Sequence, residues 1–465
     1  MKNCLFVILL LAVCTAVQAE VRPRVVIMTD AETDDRCSMV HALLYANDMD
    51  IKAIIQTNSC FQRKGWSHEP WIREMIDAYA QVLPNLRVHD ARYPSAEYLH
   101  SICLTGDEDP SHIVDIGKAY KLVFTGEPCY IDPSEWKDTP GSDRLVQLLL
   151  DDDPRPLIIQ CWGGGNTAAK AFDKLKREHP ADYHRAASKA VLYCIWYQDP
   201  AGSYIEQYHP DVTLLLNHHF SGSWDYGTMT NTDTFVSKYL HDERNPLGML
   251  YSQPYISEGD SPAFLYCVGG ALRSFEDPSY GGWGGRFYRV DGFSHVWRDT
   301  GYGDIRQWME TALHDFQARL QWCVTPDYYK ANHAPVINLV TQPDITVKSG
   351  ERVTLTAQVE DRDSIDIEAI WSLRGAMWSQ KGRTKEMFMA NPGKFVERWR
   401  TGWSQLPAGT WHGCVNLEFS DKTASCSFTA PEVDKPQTIH ILLEAFDMAV
   451  PRLTAYQRYI VTVAP

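Results

Sequence analysis

Four carboxylates stand close together near the amino terminus of the chain. Asp30, Glu32, Asp34 and Asp35 follow a β-branched run at residues 24–29 (RVVIMT), which predicts a buried strand. Carboxylates this close repel one another unless a cation, a cationic side chain or solvent separates them. A hard divalent cation resolves the conflict, because Ca²⁺ accepts carboxylate, carbonyl and water oxygens in flexible geometry, while Mg²⁺ is stricter. The alternative is that Asp34 or Asp35 only caps the helix that follows.

The segments around this acidic turn alternate between strand and helix patterns. Strands are predicted at residues 24–29, 51–56, 156–160 and 190–195, and helices at residues 38–45, 70–82 and 167–178. This alternation predicts an α/β domain with a mostly parallel sheet and helices on both faces. Ligands bind beyond the carboxyl ends of the strands in such sheets. The acidic turn and the glycine-rich turn after Cys161 are therefore expected at the same edge.

The pattern changes after Cys323, and 465 residues exceed what one hydrophobic core usually supports. Residues 345–361 alternate apolar and polar side chains, and residues 439–446 and 459–463 continue the β pattern. These runs predict an immunoglobulin-like β-sandwich of roughly 130 residues. The predicted organisation is a signal peptide at residues 1–19, an α/β domain at 20–331 and the sandwich at 332–465.

The amino terminus and the composition indicate export and narrow the partners. Residues 1–19 combine a lysine, an apolar run and a small-residue cleavage site after Ala19, which predicts a secreted or periplasmic protein. Val13 makes residues 11–14 a poor lipoprotein box, and no later segment is apolar enough for a transmembrane anchor. The net charge of −15 argues against a nucleic-acid partner. Cys414 and Cys426 are the first disulfide pair to test in an oxidising compartment.

Several motifs carry a family resemblance. Residues 29–35 (TDAETDD) resemble the acidic signature of nucleoside hydrolases, residues 158–168 (IIQCWGGGNTA) resemble the family's glycine turn, and residues 258–264 (EGDSPAF) resemble its third landmark. Shorter phrases are similar to a branch of secreted bacterial nucleoside hydrolase-like proteins with a C-terminal immunoglobulin-like domain, often labelled cellulose-binding; they lie at residues 34–39, 64–66, 138–143, 281–286 and 322–324. The likeness covers nearly the whole chain after the signal peptide.

The resemblance implies a role for each matching residue. Asp30 would ligate the metal and take the proton of the attacking water, and Asp35 and Asp260 would be further carboxylate ligands. Trp162 would contribute its backbone carbonyl, and Asp34 would accept a hydrogen bond from a sugar hydroxyl. Chemically, a cation acidifies water and anchors vicinal hydroxyls while a carboxylate removes a proton. The implied reaction is an inverting displacement at an anomeric carbon.

The chain also departs from the family pattern. Met28 stands in place of the first aspartate of the acidic signature, and residues 31–32 replace its Pro-Gly. Gly259 stands where many nucleoside hydrolases carry the histidine that protonates the leaving base. Glu258 and His295 are the candidates for a replacement general acid. Their ordinary alternatives are a solvated loop carboxylate and a structural hydrogen bond.

Other polar and aromatic side chains follow the predicted strands. The candidates for substrate binding besides Asp34 are Asn166, Gln198, Asp199, Trp66 and Trp283. Aromatic faces stack on sugar rings but also fill cores, and Asp-Pro sequences such as residues 199–200 also form ordinary turns. His218 and His219 lack a third ligand at helical spacing, so they are interpreted as a loop or strand feature.

Two functions follow from this sequence. The first is a secreted, calcium-dependent glycosidase that hydrolyses an N- or O-glycosidic bond of a pentofuranoside or related sugar through metal-activated water. The alternative is a carbohydrate-binding protein that keeps the metal and sugar pocket without the proton donor. The expected partners are a carbohydrate or nucleoside-like small molecule, with polysaccharide as a further partner for the sandwich. The sequence leaves the sugar and the oligomeric state open.

Overall fold

The computed structural model describes residues 22–124, 130–222, 232–363, 367–373, 416–420 and 422–465. The predicted signal peptide at residues 1–19 lies outside these residues, and so does Cys414 of the predicted disulfide. Cys426 is described and is buried.

One sheet of eight strands forms the centre of the amino-terminal part. Its strands are β1 (Arg24–Thr29), β2 (Asp50–Gln56), β3 (Cys103–Thr105), β4 (Leu157–Cys161), β5 (Ala190–Ile195), β6 (Thr213–Asn217), β7 (Phe287–Arg289) and β8 (Val296–Asp299). The order across the sheet is β3-β2-β1-β4-β5-β6-β8-β7. All neighbouring strands are parallel except β7 and β8. The predicted mostly parallel sheet is confirmed.

Helices cover both faces of this sheet. They are α1 (Thr33–Leu44), α2 (Trp71–His89), α3 (Ala96–Ser101), α4 (Ile116–Phe124), α5 (Pro140–Leu150), α6 (Asn166–Glu178), α7 (Tyr183–Ala187), α8 (Ala201–Tyr208), α9 (Thr232–Phe235), α10 (Ser261–Leu265) and α11 (Tyr302–Val324). One core packs α1, α2, α10 and α11 against the sheet, and a second packs α5 to α8 against its other face. Burial on both faces explains why β1 is apolar throughout. None of the described helices has the length and apolar character needed to cross a bilayer.

The strand order fixes where a ligand can bind. From β1 the chain moves outward to β2 and β3, and it then returns to place β4 on the other side of β1. The connections that leave β1 and β4 therefore run in opposite directions and open a crevice at the carboxyl ends of these two strands. Ligands bind at such a switch point in open α/β sheets. The acidic turn follows β1 and the glycine turn follows β4, so both border this crevice.

A two-sheet sandwich follows. Its strands are β9 (Val336–Leu339), β10 (Asp344–Lys348), β11 (Arg352–Glu360), β12 (Ile367–Leu373), β13 (Asn416–Ser420), β14 (Thr423–Thr429), β15 (Gln437–Asp447) and β16 (Thr454–Ala464). One sheet has the order β10-β16-β15-β12, and the other has the order β13-β14-β11-β9. Alternate side chains of β11 point into the sandwich core, as the apolar and polar alternation predicted.

The sandwich packs one face of β15 and β16 against the α/β domain. Leu442 and Tyr456 join the apolar core of that domain. Arg458 is fully buried at the same face, and it donates from Nε to the Leu272 carbonyl at 2.7 Å and from Nη2 to the Tyr280 carbonyl at 3.0 Å. Both faces of β15 are therefore covered, which explains its nearly continuous burial.

Candidate functional site

The acidic turn is a tight, internally hydrogen-bonded connection between β1 and α1. Ala31 adopts a left-handed conformation with φ of 66°, and its carbonyl accepts a hydrogen bond from Arg36 Nε at 3.2 Å. Asp35 folds back so that its Oδ1 accepts from the backbone N–H of Asp30 at 3.1 Å and from the Thr29 hydroxyl. A left-handed alanine costs free energy and persists only where its surroundings impose it. Such strained turns cluster at functional sites.

Carboxylates from two distant parts of the chain meet at this turn. Oxygens of Asp34, Asp35 and Asp260 lie within 4.8 Å of one another, and oxygens of Asp30, Glu32 and Asp35 do the same. Asp260 immediately precedes α10, so it reaches the cluster from a segment more than 200 residues away in the sequence. Asp30 and Asp35 are 1% exposed and Asp260 is 2% exposed. The structure thus brings together all three aspartates that the sequence predicts as metal ligands.

Burial makes these carboxylates unfavourable as unpaired anions. It raises the pKa of Asp30, of Asp35 and of Asp260, and mutual repulsion raises the pKa values of the last two further. Burial first, and then the charges of Asp30 and Asp34, raise the pKa of Glu32 to about 8. Among the described residues, Asp30 Oδ2 and Asp260 Oδ2 meet no donor at hydrogen-bonding distance. Buried oxygens of this kind fit a bound cation.

The glycine turn after β4 lies directly on Asp30. A Cβ placed on Gly163 would be 2.6 Å from Asp30 Cβ and 2.9 Å from its Oδ2, so only glycine fits there. The preceding Trp162 carbonyl accepts a hydrogen bond from Gln198 Nε2 at 2.5 Å. A carbonyl oxygen has two lone pairs, so it can accept this bond and a cation together. The Trp162 carbonyl oxygen can therefore serve as a further ligand of the cation.

Further acceptor oxygens surround the glycine turn. The side-chain oxygens of Asn58, Asn166 and Gln198 are buried and meet no hydrogen-bond donor among the described residues. The Asn58 carbonyl accepts from the Gly164 N–H at 3.1 Å, which fixes this residue beside the turn. Asn166 and Gln198 are predicted from the sequence to bind substrate, whereas Asn58 is not. Its position immediately beyond β2, next to β1, is the signal that could have identified it. Unpaired acceptors at this edge suit the hydroxyl donors of a sugar.

Asp199 connects two helices at the carboxyl edge of the sheet. Its Oδ2 accepts from the Asn166 backbone N–H at 2.8 Å, and its Oδ1 accepts from the Ala201 N–H at 2.9 Å. Burial raises its pKa to about 7. Both carboxylate oxygens thus hold the amino-terminal ends of α6 and α8 together. Asp199 therefore positions the glycine turn, and the substrate-binding role predicted for it stays a prediction.

Glu258 is a buried acceptor. Its Oε2 lies 2.6 Å from His41 Nδ1 and accepts from Ser261 Oγ at 2.6 Å, and its Oε1 accepts from Tyr251 Oη at 2.8 Å. The residue is 0% exposed, so neither the solvated loop carboxylate nor the proton donor considered from the sequence describes it. These contacts hold the segment that presents Asp260.

Two other predicted residues lie away from the carboxylates. His295 immediately precedes β8, at the amino edge of the sheet, and its Nε2 lies 3.2 Å from the Glu206 carbonyl. Trp283 lines a cavity of about 210 Å³ between the two domains, together with Tyr456 and with Arg22 before β1. Both lie at the edge of the sheet opposite the acidic turn. These positions remove His295 and Trp283 from the candidate site.

Trp66 borders the acidic turn from outside. The Arg36 guanidinium lies 5.3 Å from the centroid of its ring, and Trp66 Nε1 donates to Gln62 Oε1 at 2.9 Å. Because Arg36 also holds the Ala31 carbonyl, Trp66 supports this turn through the arginine.

An aromatic wall, formed by Phe61, Trp196 and Phe220, stands at the same edge of the sheet. Trp196 has a left-handed backbone with φ of 61°, and its ring lies 6.5 Å from that of Phe61 and 6.1 Å from that of Phe220. Phe220 also reaches the carboxylates, because a Cβ placed on Gly259 would meet its ring at 3.1 Å and Asp34 Oδ2 at 2.5 Å. Sequence reasoning did not identify this wall.

Two family models match this chain, one in each part of it. The family model described as "Cellulose-binding Sde182, nucleoside hydrolase-like domain" matches residues 24–287. The chain belongs to this family. A second model, "Cellulose-binding protein Sde0182, C-terminal domain", matches residues 398–463 of this family member. The resemblance predicted from the sequence motifs is confirmed.

One solved structure supports the same fold over nearly the whole chain. This member of the family is similar to a nucleoside hydrolase-related hypothetical protein from Saccharophagus degradans, described as associated with carbohydrate metabolism, with a TM-score of 0.75 and 26% identity over 95% of this chain and 100% of that chain. The effector protein XOO4466 has a TM-score of 0.37 and 11% identity, covering 66% of this chain and 95% of its own. Titin domain M7 has a TM-score of 0.17 and 13% identity, covering 28% and 95%. No curated protein matches the chain.

Proposed function

We propose that this protein is a secreted, calcium-dependent hydrolase that cleaves the N- or O-glycosidic bond of a pentofuranoside or related sugar. The supporting observation is the convergence of Asp30, Asp35 and Asp260, which are nearly inaccessible to solvent and include two oxygens without a hydrogen-bond donor. With the Trp162 carbonyl they form an all-oxygen donor set. Ca²⁺ suits such a set in an irregular turn better than Mg²⁺, which demands near-octahedral geometry.

The residues divide the chemistry between them. When bound, the cation would acidify a water molecule and hold vicinal hydroxyls of the sugar. Asp30 accepts a proton from the attacking water. The oxygen of this water bonds to the anomeric carbon as the glycosidic bond breaks on the opposite face. Asp34, half-buried at the mouth of the cluster, accepts a hydrogen bond from a sugar hydroxyl. A single displacement of this kind inverts the configuration at the anomeric carbon.

A second candidate function is carbohydrate binding without turnover. Two observations favour it: Gly259 provides no side chain where related enzymes carry a proton donor, and Glu258 is fully engaged in buried hydrogen bonds. The cellulose-binding description of both matched families is consistent with it, and it extends the proposal to polysaccharide as a ligand of the sandwich domain.

Metal content and turnover separate the two functions. Protein purified without chelator is assayed for Ca²⁺ and Mg²⁺ by elemental analysis, and then incubated with nucleosides, nitrophenyl furanosides and oligosaccharides. We expect about one Ca²⁺ per chain and hydrolysis of at least one furanoside with inversion. Asp30→Asn should lower kcat by at least ~10²-fold, because the variant cannot accept the water proton.

Asp291→Asn is the matched control, since it removes the same charge from an exposed position near His295, away from the carboxylates. Calcium-dependent sugar binding without turnover of any substrate would establish the binding function. The absence of both bound metal and calcium-dependent sugar affinity would refute the metal site, and both functions with it.

A further inference from the structure

The structure shows why position 259 cannot supply a proton donor. A Cβ on Gly259 would lie 2.5 Å from Asp34 Oδ2 and 3.1 Å from the ring of Phe220, so any side chain there would displace one of them. Glu258 is held by three buried hydrogen bonds, and His295 lies at the opposite edge of the sheet. Expulsion of a basic leaving group still requires a proton. That proton must come from another group at the carboxyl edge of the sheet.

An imidazole pair held by one carboxylate stands at this edge. His218 and His219 follow β6, and Asp299 is the last residue of the neighbouring strand β8. His219 Nδ1 lies 2.5 Å from Asp299 Oδ1, and His218 Nδ1 lies 3.0 Å from Oδ2. The β6 to β8 pairing explains the meeting, since parallel neighbours end at the same edge. No sequence spacing connects these residues.

Asp299 orients the two histidines through the hydrogen bonds that it accepts. Its Oδ2 accepts from the backbone N–H of His218 at 2.7 Å and of His219 at 3.4 Å, and its Oδ1 accepts from Gly301 at 3.0 Å. These bonds and the two imidazoles keep the pKa of Asp299 well below its usual range despite burial. Both oxygens also accept from backbone donors, so Asp299 fixes His218 and His219 at the ends of the two strands. An imidazole held through Nδ1 exchanges its proton at Nε2.

His219 is the member of the pair placed for this exchange. Its ring is fixed between Asp299 and Tyr302, whose ring centroid lies 4.6 Å away, and its side chain is 28% exposed. The next residue along the chain is Phe220, which contacts the position of Gly259 beside Asp34. His219 is therefore the immediate sequence neighbour of a residue of the aromatic wall.

We propose that His219, oriented by Asp299, is the general acid that protonates the leaving group, and that Phe61, Trp196 and Phe220 form the surface on which that group lies. This inference rests on the proposed hydrolase function. The Nε2 proton passes to the leaving oxygen or nitrogen as its bond to the anomeric carbon breaks, while Asp30 takes one proton from water. Asp30 then releases its proton to solvent and His219 regains one from solvent, so the net reaction consumes one water. Aromatic rings can stack with an aryl or base-like leaving group.

The charges around His219 set the expected pH dependence. Asp299 and His218 face it from the two strands, Tyr302 faces it from α11, and the Arg306 guanidinium lies 5.3 Å from the ring centroid of Tyr302. A general acid must be protonated to act. We therefore expect kcat/KM for substrates with basic leaving groups to fall at high pH.

The test compares two furanosides of the same sugar in the full-length protein. One carries 4-nitrophenol, which departs as an anion without protonation, and the other carries a basic leaving group such as methanol or a nucleobase. His219→Asn should lower kcat about 10²–10⁴-fold for the basic leaving group and less than about tenfold for nitrophenol. It should also remove the high-pH decline of kcat/KM. His184→Asn, at an exposed histidine of α7, serves as the matched control and should keep both the substrate ratio and the pH profile.

The outcomes separate this inference from the proposed function. Equal losses on both substrates, or an unchanged pH profile in His219→Asn, would overturn the general acid while leaving the hydrolase intact. No turnover of either substrate by the unmodified protein would overturn the hydrolase and, with it, the proton donor. Trp196→Ala should raise KM for nitrophenyl furanosides more than for methyl furanosides, and equal effects would overturn the aromatic leaving-group surface.

Discussion

Replacing Asp260 with asparagine should have opposite effects on stability with and without calcium. In chelator the side chain contributes mainly repulsion, since its oxygen lies within 4.8 Å of oxygens of Asp34 and Asp35. At this separation and an effective dielectric constant of about 20, two charges repel by about 3.5 kcal/mol. Asparagine has nearly the same shape and no charge. The variant should therefore be more stable than the unmodified protein when no cation is present.

The gain in the free energy of unfolding depends on how much of the repulsion between the carboxylates remains after proton uptake. Burial and the neighbouring carboxylates raise the pKa of Asp260, so proton uptake relieves part of the 3.5 kcal/mol. We expect a net gain of about 2 kcal/mol, which corresponds to about 4 °C in Tm for a domain of this size. Calcium at 100 times its Kd should stabilise the unmodified protein by about 2.7 kcal/mol, or about 5 °C. The variant, which lacks one carboxylate ligand, should respond by less than about 1 °C.

Thermal unfolding in EDTA and in millimolar CaCl₂, followed by calorimetry, measures both effects. Asp291→Asn removes an exposed carboxylate far from the cluster and should leave the calcium response unchanged. If Asp260→Asn lowers Tm in EDTA and keeps the full calcium response, the reasoning is refuted. The carboxylates would then be ordinary hydrogen-bonding groups rather than members of a cation site.

Three further predictions concern other parts of the molecule. Gly163→Ala should abolish the calcium-induced rise in Tm while the protein stays folded by circular dichroism, because its Cβ would lie 2.6 Å from Asp30 Cβ; a full calcium response would contradict the close contact. Burial raises the pKa of Glu444 to about 8, above its usual 4.5, so its contribution to stability should be complete below pH 4.5 and be lost progressively up to pH 8. Glu444→Gln should flatten this part of the Tm-against-pH curve, and an unchanged slope would show that Glu444 ionises normally. Arg458→Met should lower the free energy of unfolding by at least about 3 kcal/mol by denaturant titration, since it strands buried carbonyls of the α/β domain, and a loss below about 1 kcal/mol would show a solvated interface.

The sequence by itself predicted the architecture and the position of the acidic turn. Strand and helix periodicity is local, so it could be read without knowledge of long-range contacts. Parallel strands end at one edge, and this rule predicted that Asp30 and the turn at Trp162 lie in one region, whereas Asp260 was assigned to it by the family resemblance. The structure confirms the sheet and places these residues together. Calcium itself stays a prediction.

Only the tertiary structure decided what each side chain at that edge does. Asp199 and Glu258 are carboxylates, a residue type that often binds ligands. In the structure, backbone N–H groups donate to the oxygens of Asp199, and buried hydroxyls donate to those of Glu258. Sequence patterns give a residue's position along a strand or turn and not the partners that satisfy its polar atoms. Those partners come from other segments, and they determine whether a carboxylate is free to meet a ligand.

The direction of β8 is a second property that the sequence pattern did not give. His295 and Asp299 are four positions apart, yet this parallel strand places the first at the amino edge and the second at the carboxyl edge of the sheet. The predicted proton donor is thus on the wrong side, while Asp299 meets two histidines that sequence spacing did not connect with it. Strand direction in a sheet depends on contacts with distant strands. For that reason the meeting of Asp299 with the two histidines is visible only in the tertiary structure.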